Sequence, residues 1–377
     1  MRYCKKCIQP DTRPGIAFYD GVCAACRYQE EMPTIDWSER EKQLRKLSKS
    51  AKRSSHCGFD CVVGVSGGKD SHFQALYAKE RLGLRALLVN CAPDHITKVG
   101  RHNLENLVQH GFDMISFRPN PHVMRAVTRQ AFFEYGNPVK PSEYPLYAVS
   151  YQTALTFEIP LIIQGENPAI TLGIVDNLDP CDDALNIRHH NTLAGGSASD
   201  WIQKGIELED LQFYQFPDTD EMRKRGIRAI HLNYYVKEWS RSGNTEFAVA
   251  RGLRGRPGHD PNLTGRLNPY SSVDSDMQIV NQMLKYYKFG FGFVTDEVCY
   301  DIREARMSRE DGINLVEQYD GKCDEGYIQE FCEYIDISVE EFWSVVDRIV
   351  NRKFFRKDLA TGKWMPLFRV GYGLTSQ

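Results

Sequence analysis

The six residues Ser66-Gly67-Gly68-Lys69-Asp70-Ser71 carry the densest chemistry in the chain. They follow a short apolar run, Cys61-Val62-Val63-Gly64-Val65, and precede an amphipathic stretch from His72 to Arg81. Two glycines allow positive φ and a close backbone approach to an anion. A helix starting there aims unpaired N–H groups and its positive dipole end at the same point. Ser66 and Ser71 add hydroxyl donors and Lys69 adds charge, while Asp70 suits either a helix cap or a share in holding Mg²⁺. The chemistry is therefore phosphate binding. Two common phosphate loops fail on residue types. A Walker A loop needs Gly where Val63 stands and Ser or Thr where Asp70 stands, and a dinucleotide fingerprint needs Gly where Ser66 stands.

A second element is Gly165-Glu166-Asn167-Pro168, after the apolar run 160–163. Gly165 would admit a nucleotide closely, Glu166 would contact Mg²⁺ or substrate, and Asn167 would orient a carbonyl. A plain turn explains the same residues, since Gly and Asn-Pro both favour one. The loop pattern Ser-Gly-Gly-x-Asp-Ser resembles the PP-loop of the ATP pyrophosphatase family. That resemblance implies ATP, with the β,γ-pyrophosphate cradled and the α-phosphate open to attack.

Such loops need strands to position them. From about 56 to 236 short apolar runs alternate with longer amphipathic stretches: 61–65, 86–89, 114–117, 160–163 and 229–232. Near-continuous apolar strands separated by helices predict a doubly wound parallel sheet, with ligands at the carboxyl ends of its strands. The expected fold is thus α/β, of the PP-loop ATP pyrophosphatase type, over residues 56–236. Residues 31–55 are expected to form a connector helix whose basic run (Lys42, Arg45, Lys46, Lys49, Lys52, Arg53) faces water or, less simply, an anion. Residues 237–377 are expected to be mostly helical, with helix starts at Ser308 and in the Ser338-x-x-Glu341 capping box.

Residues 1–30 are too few for a core of their own. Cys4-x-x-Cys7 and Cys23-x-x-Cys26, fifteen residues apart, place four thiolates for a tetrahedral structural zinc site. The seven other cysteines form no further CxxC pair; Cys61 and Cys91 are expected in strands as packing residues, and Cys181, in an expected loop, is the one that stands out. The 377 residues are 42% hydrophobic and 26% charged, with a net charge of -3, which disfavours a general nucleic-acid or acidic-membrane binder. No signal-peptide core and no apolar run near about 18 residues occurs, so the expected location is cytoplasmic with no membrane span.

Taken together, Tyr3-Cys4-x-x-Cys7, the run Pro10 to Gly15, Cys23-x-x-Cys26, the Ser66–Ser71 loop and Gly165 to Pro168 resemble the N-acetyl sugar amidotransferases of bacterial surface-glycan synthesis. Lys288 to Gly292, Thr295-Asp296 and Asp301-Ile302-Arg303 extend the resemblance through most of the chain. It implies that a sugar N-acetyl oxygen attacks the α-phosphate of ATP, pyrophosphate leaves, and ammonia displaces AMP to give an acetamidino group. It also implies an N-acetylated, nucleotide-linked sugar as acceptor, with a separate glutaminase and a barrel subunit supplying ammonia. The chain itself has Arg2 where an N-terminal-nucleophile glutaminase needs Cys, and no Gly-x-Cys-x-Gly elbow. Phe293 departs from the family pattern, which has a basic residue there. The arginines Arg241, Arg251, Arg254 and Arg256 offer either a diphosphate site or a solvated loop, and His189, His190 and Asn191 either touch substrate or are structural. The rival readings are a tRNA thiolase and a zinc-bearing nucleotide-binding scaffold.

Overall fold

The computed structural model describes residues 1–175, 179–189, 193 and 195–375. A small hairpin (Phe18–Tyr19 with Val22–Cys23) and a helix, Ala24–Glu31, lead into helix α1 (Trp37–Ser54). The core then runs β1 (Cys61–Gly64), α2 (Lys69–Glu80), β2 (Ala86–Cys91), α3 (Lys98–Gln109) and β3 (Asp113–Phe117). It continues through α4 (Pro121–Tyr135), α5 (Lys140–Thr156), β4 (Leu161–Gln164) and β5 (Arg228–His231). The five apolar runs read from the sequence are these five strands. All neighbours pair in parallel, in the order β3-β2-β1-β4-β5.

The burial pattern follows from the pleat. Successive side chains of a strand point to opposite faces, so a strand covered on both sides is apolar throughout. Val63, Leu88, Ile163 and Ile230 pack on one face against Phe73 and Leu76 of α2, Leu104 and Leu107 of α3, and Leu44 of α1. Val62, Leu87, Val89, Ile162 and Ala229 pack on the other against Val149, Tyr151 and Ala154 of α5. Each fully buried Val, Leu or Ile contributes about 1.5–3 kcal/mol over an exposed one. Helix α1 is more than a solvated connector: Leu44 is wholly buried, and Arg40 stacks 3.8 Å from the Tyr234 ring centroid. Its basic run stays at the surface.

The order of strands matters for function. β2 leads outward from β1 on one side and β4 on the other. The loops after β1 and β4 therefore diverge and leave a crevice at the carboxyl edge between them.

The remaining long helices are α6 (Arg241–Val249), α7 (Met277–Phe289), α8 (Phe293–Arg303), α9 (Arg309–Tyr319), α10 (Glu325–Ile335) and α11 (Val339–Ile349). Helix starts at Ser308 and at the Ser338 capping box are both present. Two short hairpins, Phe355–Lys357 with Trp364–Pro366 and Phe368–Arg369 with Gly373–Leu374, close the region. The sequence reading did not predict them, because two- and three-residue strands leave no periodic signal. Phe132 of α4 joins α7, α10 and α11 in one core, while the cysteine-bearing segment shares another with α8, α9 and these hairpins. Among the described residues, no helix is long and apolar enough to cross a membrane.

Candidate functional site

At the end of β1, Val65 still donates to the Val89 carbonyl (2.8 Å), and the chain then turns through Ser66 to Gly68. Gly67 has φ 85°, a value that suits glycine. Gly68 is the N-cap of α2, and no side chain caps this helix. Its carbonyl instead holds the first turn together: Ser71 Oγ and His72 Nδ1 both donate to it at 3.0 Å. The leading N–H groups of α2 are left for a ligand. Ser66, Gly68, Lys69, Asp70 and Ser71 line a cavity of about 710 Å³. Lys69 pairs with Asp70 Oδ2, and Asn244 of α6 donates to Asp70 Oδ1 at 2.9 Å. Burial pushes the Asp70 carboxyl up, but Lys69 and the Asn244 amide outweigh it and hold the group below its usual range.

Across the crevice, Glu166 follows β4. Thr171 Oγ1 and Tyr300 Oη both donate to its Oε1, at 2.8 and 3.1 Å. Burial first and the nearby Asp70 charge second push its carboxyl above the usual range. An ionised Asp70 and a perturbed Glu166 in one cavity are two hard oxygen donors whose mutual repulsion a Mg²⁺ would relieve. Asn167 is wholly occupied by the backbone: its Oδ1 caps Ala169, and its Nδ2 donates to the carbonyls of Asp179 and Cys181, both at 2.9 Å. Gly165 is a close-approach position, though toward protein. A Cβ there would collide with Gln74 Nε2 and stand 2.9 Å from the Trp239 ring.

The C-terminal region forms the facing wall. Arg241, at the start of α6, pairs with Glu297 and donates to Ser271 Oγ at 3.1 Å. On α8, Asp296, Tyr300 and Arg303 recur at i, i+4 and i+7, which puts all three on one face toward the cavity. Asp296 pairs with both Arg13 and Lys285 (2.7 Å to the latter), and these cations lie 4.7 Å from the Phe291 ring centroid on which they converge. Burial raises the Asp296 carboxyl, and the two cations, Arg13 foremost, bring it below its usual range. Phe293 carries two guanidiniums: Arg266 at 4.6 Å and Arg241 at 5.6 Å from its centroid.

The four N-terminal cysteines meet as expected. They are buried, with all four Sγ atoms within 4.8 Å of one another. The pairs Cys4–Cys26 and Cys7–Cys23 are each 3.8 Å apart. Four thiolates at about 2.3 Å from a zinc ion sit about 3.8 Å from each other, so the donor set and its spacing fit Zn²⁺. The backbone N–H of Cys23 donates to Cys4 Sγ (3.3 Å) and that of Gln9 to Cys7 Sγ (3.4 Å), as outer-shell bonds that orient ligands do. The thiols conflict without a cation. Hydrogen bonds from Cys23 and Cys26 drive Cys4 down, while Cys7 and Cys23 are pushed up by their own thiol neighbours. The knuckle also adjoins the cavity: Arg13, Pro14, Ala25 and Tyr28 are part of its lining.

Several residues singled out in the sequence lie elsewhere. Arg251 pairs with Glu80 at 3.0 Å and stacks on Phe247, and Arg256 pairs with Asp276. Arg254 is exposed, so of the four arginines only Arg241 reaches the cavity. His189 accepts from Arg188 and does not line it, and His190 and Asn191 lie outside the described residues. Conversely, sequence reasoning gave no role to Tyr300, Lys285, Lys140 or Trp239, all cavity-lining. The i, i+4, i+7 stripe on α8 was the available signal for Tyr300. The others needed the tertiary fold.

No curated protein matches the chain. Residues 264–367, which supply α7, α8 and the wall bearing Lys285, Asp296, Tyr300 and Arg303, match a family model described as LPS biosynthesis protein WbpG-like, C-terminal domain.

Proposed function

We propose that this cavity is the active site of an ATP-dependent amidotransferase acting on an N-acetylated sugar in surface-polysaccharide synthesis. The observation that carries the reading is the uncapped N-terminus of α2 with Ser66, Lys69 and Ser71, facing Glu166 across the crevice between β1 and β4. An anion the size of pyrophosphate fits that arrangement, with Lys69 and the N–H groups offsetting its charge as it leaves. The acetamido oxygen attacks the α-phosphate of ATP and the bond to pyrophosphate breaks. Ammonia then adds to the activated carbon, one proton is lost to water, AMP departs, and the product remains as the acetamidinium. Mg²⁺ held by Asp70 and Glu166 would neutralise phosphate charge. Glu166 faces the reacting groups, while Asn167 holds the loop that positions it.

The WbpG-like match supports a sugar acceptor. Among the described residues no cysteine lines the cavity, which weighs against sulfur transfer to tRNA. The glutaminase and barrel subunit that the resemblance implies are, in this reading, separate chains.

The test is release of AMP and pyrophosphate from Mg-ATP with ammonium, across UDP-linked N-acetyl sugars, with mass analysis of the sugar. AMP formation requiring both sugar and ammonium, with an oxygen replaced by NH, is the expected result. Lys69→Ala should lower the rate by roughly 10²–10³-fold. AMP formation only with tRNA and a sulfur donor would overturn the assignment.

A further inference from the structure

One wall of the cavity takes no part in the chemistry above. It is built by the turn between α4 and α5 together with the C-terminal end of α7, and it contains two ammonium groups. Lys288 Nζ donates to the Tyr135 carbonyl at 2.6 Å, and Lys140 Nζ stands 4.5 Å from the centroid of the Tyr135 ring. Both line the cavity. Among the described residues neither has a carboxylate within ion-pairing distance, in contrast to Lys69, Lys285, Arg13 and Arg241, each of which is paired. Burial, and then the Lys140 charge, push the Lys288 ammonium below its usual range, so the two cations sense one another. Two ammonium groups brought this close with no ion pair of their own favour an anion between them.

The surrounding groups narrow the chemistry of that occupant. Among the described residues, Asn137 Oδ1 and Gln282 Oε1 are buried without a partner, and both residues line the same cavity. Unpartnered carbonyl oxygens call for donors, which hydroxyl groups supply. The exposed Tyr135 ring and Phe289 offer faces for a flat ring to stack on. We propose that Lys140 and Lys288 clamp the diphosphate of a nucleoside diphosphate-linked acceptor, with Asn137 and Gln282 receiving its hydroxyls and Tyr135 and Phe289 its base. This deepens the functional reading above and rests on it for the identity of the second substrate. It also places the acceptor's diphosphate on this wall and not on the Arg251–Arg256 loop, whose Arg251 and Arg256 are already paired.

Equilibrium binding of UDP, dTDP and GDP, measured by calorimetry with the ATP half filled by saturating Mg-AMP-PCP, tests this. At least one of the three should bind beside the analogue. Lys140→Gln and Lys288→Gln should each weaken it roughly tenfold, and the double variant more, as loss of charge-assisted hydrogen bonds predicts. AMP-PCP affinity should stay within about twofold, which also certifies that the variants are folded. Lys140→Gln is the cleaner probe, since the Lys140 ammonium, unlike that of Lys288, makes no hydrogen bond to a backbone carbonyl among the described residues. Three results overturn the proposal: no binding of any diphosphate to the unaltered chain, competition of the bound diphosphate with AMP-PCP, or unchanged affinity in the double variant. Failure of AMP-PCP to bind the unaltered chain, with diphosphate binding still lost in the double variant, would sink the ATP reading and leave this site standing.

Discussion

Asp70 and Glu166 are two carboxyls set apart by their surroundings. Lys69 and Asn244 favour the charged form of Asp70, whereas burial and Asp70 itself disfavour that of Glu166. A raised carboxyl pKa means the anion forms only above the ordinary Glu value of 4.5, so a step needing ionised Glu166 gains rate as pH climbs through that raised value. The acid limb of kcat/KM for AMP formation should therefore lie above pH 4.5. Asp70→Asn should shift it to lower pH, and Glu166→Gln should abolish it with a loss of roughly 10²-fold or more. A limb that ignores both substitutions would remove Glu166 from the reaction. His72 gives a second pH effect, on stability. It is fully buried behind the Ser66–Ser71 loop, and burial pushes its imidazole down to about 4 from 6.5. The unfolded chain then takes up the proton first as pH falls, so stability is complete above pH 6.5 and declines toward pH 4, by up to about 3 kcal/mol. Urea midpoints across that range should show the slope, and His72→Asn should flatten it.

At the scale of elements, α8 shows how a helix can be capped from a distance. Its N-cap is Gly292, which has no side chain to offer, and Asp320 at the end of α9 takes over. The Asp320 carboxylate accepts from the N–H groups of Gly292 (2.6 Å) and Val294 (3.0 Å) and from Thr295 Oγ1 (2.7 Å). A Cβ on Gly292 would stand 2.6 Å from Asp320 Oδ1, so the glycine is required by the carboxylate that replaces its cap. Gly292→Ala should displace that carboxylate and cost about 1–3 kcal/mol in urea unfolding. It should also disturb Asp296 and Tyr300, one and two turns further on, lowering activity beyond what stability explains. A variant with unchanged midpoint and activity would deny the arrangement. Local signals of this kind were legible where they were short-ranged: the five apolar strands, the Ser308 cap and the Ser338 capping box all follow from neighbours in sequence, whereas α2 begins at Lys69, three residues before the expected His72, with Gly68 and not Asp70 at its cap. The Asp320 cap was not, because its partners are 25 to 28 residues away and no pattern links them.

For the molecule as a whole, the glycine turn at Ser66–Gly68 and the clustering of the CxxC pairs were readable because tight backbone geometry and metal coordination each demand particular residues at fixed spacing. The shared cavity was not readable, because its walls come from segments far apart in the chain. The knuckle is the plainest case. Its spacing predicts a structural zinc site, yet the fold also uses it as masonry for the cavity: Arg13 crosses from the knuckle to Asp296, and Thr12 Oγ1 donates to the Phe289 carbonyl at 2.6 Å. A segment this small has little besides its metal to hold it folded. Removing zinc should therefore leave the parallel sheet intact while dissolving one wall of the cavity. The purified protein should carry about one zinc per chain, released by a strong chelator or by Cys23→Ser. Far-UV circular dichroism should change little, melting temperature should fall, and AMP-PCP binding should weaken, with zinc restoring all of these in the chelated protein but not in the variant. Full nucleotide affinity in the metal-free chain would mean that the knuckle and the cavity are neighbours only. Loss of the entire sheet signal would mean instead that the core cannot stand without the segment at its edge.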